Sequence, residues 1–176
     1  MAIQRTFKLD SLLIAVDNYV LVDLETTGVS PARDRIIEIG AVRVEGGNVT
    51  AEYSRLVNPG RPVGSFITNL TGISDEMVRT ASPIDDVLPD FLNHLRPNDT
   101  IMAHNANFDV NFLYDNCMRV LDRPFSYDFI DTLRLSRALF PQERQHRLVD
   151  LIQRFGIADE EEHRGLSDAL QTVECY

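Results

Sequence analysis

The chain reads as an α/β protein built on a mixed sheet. Three strand-like segments joined by tight turns open it, brief apolar runs then alternate with amphipathic helical patterns, and the first strand carries two acids on one face. An antiparallel trio followed by β–α units gives five strands, antiparallel over the first three and parallel afterwards. Helices then cover both faces, and the first strand is free to be central. With 176 residues the chain suits one domain, which buries about 70% of its unfolded surface. An apolar fraction of 44% against 25% charged excludes a disordered chain. No apolar run reaches the length of a membrane span, and residues 12–16 lack the flanks of a signal peptide, so a cytoplasmic protein with no membrane partner is expected. Cys117 and Cys175 have no metal-ligand spacing and suit free thiols in a reducing compartment. A net charge of −10 argues against coating nucleic acid through a broad basic surface, yet permits a grip on one strand end.

Residues 1–18 form a preface expected to pack on the domain edge, and residues 19–176 form the domain. Its first strand, YVLVDLETTG at 19–28, projects Asp23 and Glu25 from one face and Val22 and Leu24 from the other. Two neighbouring carboxylates in a central strand repel and are costly to bury, so they call for a cation; oxygen ligands favour magnesium or manganese over zinc. The bland alternative is a strand end with two solvated acids. Strands over 35–44 and 49–57 follow, joined by Gly46, Gly47 and Asn48. Short helices fit 65–70 and 74–79, the second capped by Ser74, and a longer amphipathic helix fits 83–95. Strands at 100–103 and 127–130 alternate with helices at 105–118, 132–140, 148–155 and from 166 onward. The last apolar pattern is still running at Tyr176, so the natural polypeptide is expected to continue.

Two further segments repeat one logic. HNANFD at 104–109 crosses from a strand end into a helix and sets Asp109 near the sheet edge where ligands collect, although a helix cap and a dipole partner would look the same. HRGLSD at 163–168 does likewise at the last helix. Five residues turn a helix by about 500°, so His163 and Asp168 share a site only if His163 precedes the helix. A solvated histidine after the acidic run 159–162 is the ordinary alternative.

Taken together, DLETTG, HNANFD and HRGLSD resemble the three motifs of the DEDDh exonucleases, the DnaQ-like proofreading family with a ribonuclease H-like fold. LTGISDEMV at 70–78 and HRLVDLIQRFGI at 146–157 resemble the segments between them. His163 fits the histidine branch, Arg164 stands where the other branch has tyrosine, and His146 with Asp150 is a decoy at the wrong spacing. The resemblance implies that Asp23, Glu25, Asp109 and Asp168 hold two Mg²⁺ or Mn²⁺ ions, with Asp23 bridging. It implies that His163 takes the proton of the attacking water. It further implies that Thr26 and Thr27 cradle the terminal nucleotide, that Leu70, Ile73 and Phe108 meet terminal bases, and that His104 and Asn105 line the pocket. For Leu70 and Ile73 ordinary core packing is the alternative. The implied activity is 3′ to 5′ hydrolysis of single-stranded or frayed DNA ends, with a polymerase or a fused domain as partner. An RNA-trimming enzyme of the same superfamily and a polymerase-tethering module with a vestigial nuclease are the alternatives.

Overall fold

A computed structural model describes residues 11–176. Six strands, β1 (Ser11–Leu12), β2 (Tyr19–Thr26), β3 (Ile36–Glu45), β4 (Asn48–Leu56), β5 (Ile101–Ala103) and β6 (Phe129–Asp131), form one sheet in the order β1-β6-β5-β2-β3-β4. Five of these are the expected strands with the expected directions. The addition is β1, a two-residue parallel partner of β6 that lies inside the preface and is too short to announce itself by periodicity. The rest of the preface, residues 1–10, lies outside the described residues. As expected, β2 is central, antiparallel to β3 and parallel to β5. Gly46 and Gly47 have φ of 58° and 74°, the paired positive values that a two-residue hairpin turn needs.

The period-two pattern of β2 sorts its side chains between two cores. Val20, Val22 and Leu24 pack with Leu88 and Phe91 of α3 (Ile84–His94) and with Val110, Phe112 and Leu113 of α4 (Asn107–Leu121). On the opposite face, Tyr19 and Leu21 pack with Ala169 of α7 (Gly165–Cys175). Asp23 and Glu25 continue this second row and so point toward α7. Helix α3 tolerates Pro89 in its interior, a cost of about 3 kcal/mol, while burying Ile84, Val87, Leu88 and Phe91.

Helix α7 sits unusually low on the sheet. A Cβ on Gly40 of β3 would lie 2.0 Å from the carbonyl carbon of Gly165, and one on Gly165 would lie 2.9 Å from the Asp23 carbonyl oxygen. Both obstacles are backbone, which cannot swing aside. Gly40→Ala is therefore expected to destabilise the fold by about 1–3 kcal/mol or more, read as a lowered denaturation midpoint in urea. A Gly40→Ala protein with the wild-type midpoint would show that α7 does not rest on β3 in solution.

Candidate active site

Seating α7 on β3 brings Asp168, in the helix's first turn, over the acidic row of β2. One carboxylate oxygen from each of Asp23, Glu25 and Asp168 lies within 4.8 Å of the others. Asp109 arrives from the far side of the sheet. Strand β5 pairs with β2 only as far as Leu21, so the Leu24 N–H has no strand partner; it donates to Asp109 Oδ1 at 3.1 Å. Asp109 is buried, and its charge bears on Asp23, but it stands outside the 4.8 Å group. Three of the four expected acids thus share one cluster, with the fourth behind it.

Burial and mutual repulsion distort these acids strongly. Burial pushes Asp23 well above the usual carboxylate range, and the charges of Asp109, Glu25 and Asp168 push the same way. Glu25 is raised to about 8, first by burial and then by Asp168, Glu38 and Asp109, with Arg164 opposing. Asp109 is raised to about 8 by burial, against the backbone hydrogen bonds it accepts, and Asp168 to about 6 by burial and by Glu161. Oxygen donors whose negative charges disfavour one another fit a hard divalent cation, which would restore the ionised forms.

His163 precedes α7, as the helical arithmetic requires, with φ of 51°. Its Nδ1 lies 3.6 Å from Glu161 Oε2, and Glu161, His163 and Asp168 form a second group with ligand atoms within 4.8 Å. Sequence reasoning missed Glu161, because the run 159–162 looks like a solvated acidic stretch. It also missed Glu38, which is 1% exposed and accepts from Arg164 Nη2 at 2.7 Å, Arg164 Nε at 3.0 Å and the Gly165 N–H at 3.0 Å. His146 engages both ring nitrogens, Nδ1 with Ser136 Oγ at 2.8 Å and Nε2 with the Glu143 carbonyl at 3.1 Å, which leaves neither free to accept a proton from water. Asp150, the decoy's partner, accepts from Arg147 instead.

The expected substrate residues divide. His104 is held by Thr132 Oγ1 at 2.9 Å and has a buried Nε2 with no partner; burial lowers its pKa and keeps it neutral. Asn105 is exposed beside it, fixed by its N–H to Asp131 Oδ1 at 3.0 Å. Both line a cavity of about 630 Å³ that opens from Asp23 and Asp168. Thr26 donates to the Gly28 carbonyl at 2.6 Å and the Thr27 hydroxyl accepts from the Arg35 N–H at 3.0 Å, so both are turn-forming groups. Gly28 has no positive φ, and a Cβ there would meet only the end of the Asp34 side chain, at 2.6 Å. Phe108 is half-buried against Phe112. Leu70, at the end of α1 (Ser65–Thr71), is 44% exposed, and Phe66 one turn earlier is 75% exposed on the same face. Ile73 is instead fully buried with Ile37, Val63 and Val78 and offers no surface to a base, so ordinary core packing is the correct reading for it.

The exonuclease family model of the RNase T type matches residues 20–176. The PolC-type DNA polymerase III of Streptococcus pneumoniae is 41% identical over 155 residues, which is 88% of this chain and 10% of that protein. The PolC-type polymerase of Thermotoga maritima is 38% identical over 158 residues, 90% of this chain and 11% of that one. The chain thus spans about a tenth of the length of these relatives. Among solved structures, exonuclease X in complex with 5′ overhanging duplex DNA superposes with a TM-score of 0.70 at 27% identity, covering 89% of this chain and 87% of that one. E. coli exonuclease I with a dA16 oligonucleotide, at 20% identity and a TM-score of 0.80, shares the fold over 90% of this chain and 40% of its own.

The raised carboxylates make a pH prediction for the metal-free protein. Their folded values exceed their unfolded ones, so the native state holds protons that the unfolded chain has released, and stability falls as pH rises from about 4 to about 8. Saturating magnesium chloride should raise the thermal midpoint by about 5–10 °C near pH 8 and by much less near pH 5. Calorimetry showing a midpoint that climbs across this window without metal, or a metal effect independent of pH, would contradict the electrostatic account.

Proposed function

This chain belongs to the RNase T family of exonucleases, and on that premise we propose that it removes nucleoside 5′-monophosphates from single-stranded or frayed DNA 3′ ends, moving 3′ to 5′. The observation that carries the reading is the convergence of Asp23, Glu25 and Asp168 beside His163, with Asp109 behind them. Every position of the family's catalytic motif is filled by a residue able to act, which disfavours a vestigial module. DNA is favoured over RNA by the relatives, which are DNA polymerases, and by exonuclease X and exonuclease I, whose solved complexes hold DNA and a dA16 oligonucleotide. The same relatives support a nuclease module that serves a polymerase's primer end.

Asp23, Glu25, Asp109 and Asp168 would hold two Mg²⁺ or Mn²⁺ ions. Bound there, the ions would stabilise charge on the attacking and leaving oxygens of an in-line displacement at phosphorus. The chain supplies the rest. His163, half-exposed and bordered by Glu161, takes the proton of the attacking water, and Glu161 steadies the imidazolium that results. Leu70 and Phe66 present an apolar face to the terminal base, and Phe108 its half-buried ring. Neutral His104 and Asn105 line the path beyond the carboxylates.

A 3′-labelled oligonucleotide should lose its label in the first turnover with magnesium, while a 5′-labelled one yields a ladder. Asp23→Ala should abolish both cleavage and paired-metal binding. His163→Ala should lower kcat by roughly 10²–10⁴ and leave binding of the 3′ end largely intact, and His146→Ala should be far milder. Release of the 5′ label as the first mononucleotide would refute the polarity. Full cleavage in excess chelator would refute the metal requirement, and a severe His146→Ala defect beside a silent His163→Ala would refute the choice of base.

A further inference from the structure

The cavity of about 630 Å³ that begins at Asp23 and Asp168 is also lined by basic side chains. Arg137 from the last turn of α5 (Thr132–Leu139), Arg144 from the connection that follows, and Arg147 at the start of α6 (Leu148–Phe155) all line it. In a chain of net charge −10, three guanidinium groups share this one cavity with Asp23, Asp150, Glu161 and Asp168. They are not equivalent. Arg147 is committed to Asp150, through Nε at 3.0 Å and Nη2 at 2.8 Å. Arg137 and Arg144 are exposed and form no ion pair among the described residues. Two unpaired arginines facing a cavity that opens from a phosphodiester-cleaving centre suit a ligand with negative oxygens, since the planar guanidinium matches phosphate in two-pronged fashion.

We propose that Arg137 and Arg144 form a subsite for the backbone phosphates of the retained strand, on the 5′ side of the scissile bond. The inference rests on the exonuclease reading and deepens it. Its direction follows from what lines the cavity: Asp23, Asp168, His104 and Asn105 do, whereas Leu70, Phe66 and Phe108, the residues assigned to the terminal base, do not. A strand whose scissile phosphate lies at the carboxylates has its last nucleotide toward the latter group, and its remaining phosphates run past Arg137 and Arg144. The subsite also answers how so acidic a protein holds a polyanion. Its surface repels nucleic acid at large, and the two free arginines attract it where a 3′ end is already threaded, which favours ends over continuous strands.

The same phosphate chemistry could come from the released mononucleotide, and the test separates the two. The full chain and its Arg137→Gln/Arg144→Gln double variant are compared in two assays. In calcium, binding of a fluorescent oligo-dT is followed against salt; losing two phosphate contacts on a single strand should lower the slope of log Kd against log salt by about 1.4. In magnesium, the advantage in kcat/KM of a tetranucleotide over a dinucleotide, whose single internucleotide phosphate is the scissile one, should shrink about tenfold. Arg137→Lys/Arg144→Lys, which keeps the charge, should restore most of the salt slope. The proposal is overturned if the glutamine variant keeps the wild-type slope and length advantage. It is also overturned if the only change is weaker inhibition by thymidine 5′-monophosphate, which would place the product's phosphate there. Should the wild-type chain degrade neither oligonucleotide, the exonuclease reading fails, and the salt slope still decides the subsite.

Discussion

The contact on which the site depends contains no side chain at all. Helix α7 begins where Gly165 lies against Gly40 of β3 and the carbonyl of Asp23, and no residue larger than glycine fits between them. This approach fixes the height of α7 above the sheet, and Asp168, one turn into the helix, inherits its place over Asp23 and Glu25. Repelling carboxylates are thus brought together by backbone packing and not by any attraction among themselves. Glu38 secures the arrangement from below. Its buried carboxylate takes the Gly165 N–H and both prongs of Arg164, so α7 is tied to β3 at the point of closest approach. Only the Glu38 end is buried, the Arg164 side chain being 38% exposed, and removing Arg164 would leave that buried carboxylate without its charge partner.

The energetic consequence is a site that opposes the fold around it. Burial raises Asp23, Glu25, Asp109 and Asp168, and each raised carboxyl is a group the folded chain would sooner keep protonated. Two apolar cores flank the sheet and offset the strain: the larger joins β2 to α3 and α4, the smaller joins β2 to α7. Asp109 illustrates how the sheet itself contributes. Because β5 is only three residues long, β2 runs past it, and the unpaired Leu24 N–H receives a carboxylate where a longer strand would have supplied a carbonyl. The shortness of β5 is therefore part of the site.

Much of this was legible in the sequence, for definite reasons. Strand alternation placed Asp23 and Glu25 on one face, and helical arithmetic required His163 to lie outside α7; both are local rules that the fold obeys. The five recognisable strands followed from the same local signals, whereas the three motifs were joined into one site by the family resemblance. What was illegible depends on distance along the chain. Glu38 lies 126 positions from Arg164, and in sequence it is one acid in an Ile- and Val-rich strand. Glu161 sits in an acidic run that reads as solvated until the path into α7 folds it against His163. Ile73 was ambiguous for the opposite reason, since an apolar residue beside a turn can be core or contact surface, and only its burial beneath α1 and α2 (Asp75–Arg79) decides for core. Strand β1, at two residues, is too short for any periodicity to show.

The backbone at His163 connects these observations. Its φ of 51° is a left-handed conformation that costs a non-glycine residue of order 1–3 kcal/mol, and histidine could avoid it by yielding the position to glycine. The conformation persists because its neighbours leave no alternative. Arg164 is held by Glu38 on one side, and on the other Glu161 is anchored by accepting the Val149 N–H, while the Glu162 N–H donates to Asp168 at 3.2 Å. A chain pinned at 161, 162 and 164 must turn sharply at 163, and the turn leaves the imidazole half-exposed beside Glu161 and Asp168. Rigidity in the flanking residues and exposure of the ring are therefore two results of one constraint. Both would serve the role proposed for His163: fixed backbone to stay near a reacting water, and access to solvent to pass the proton on.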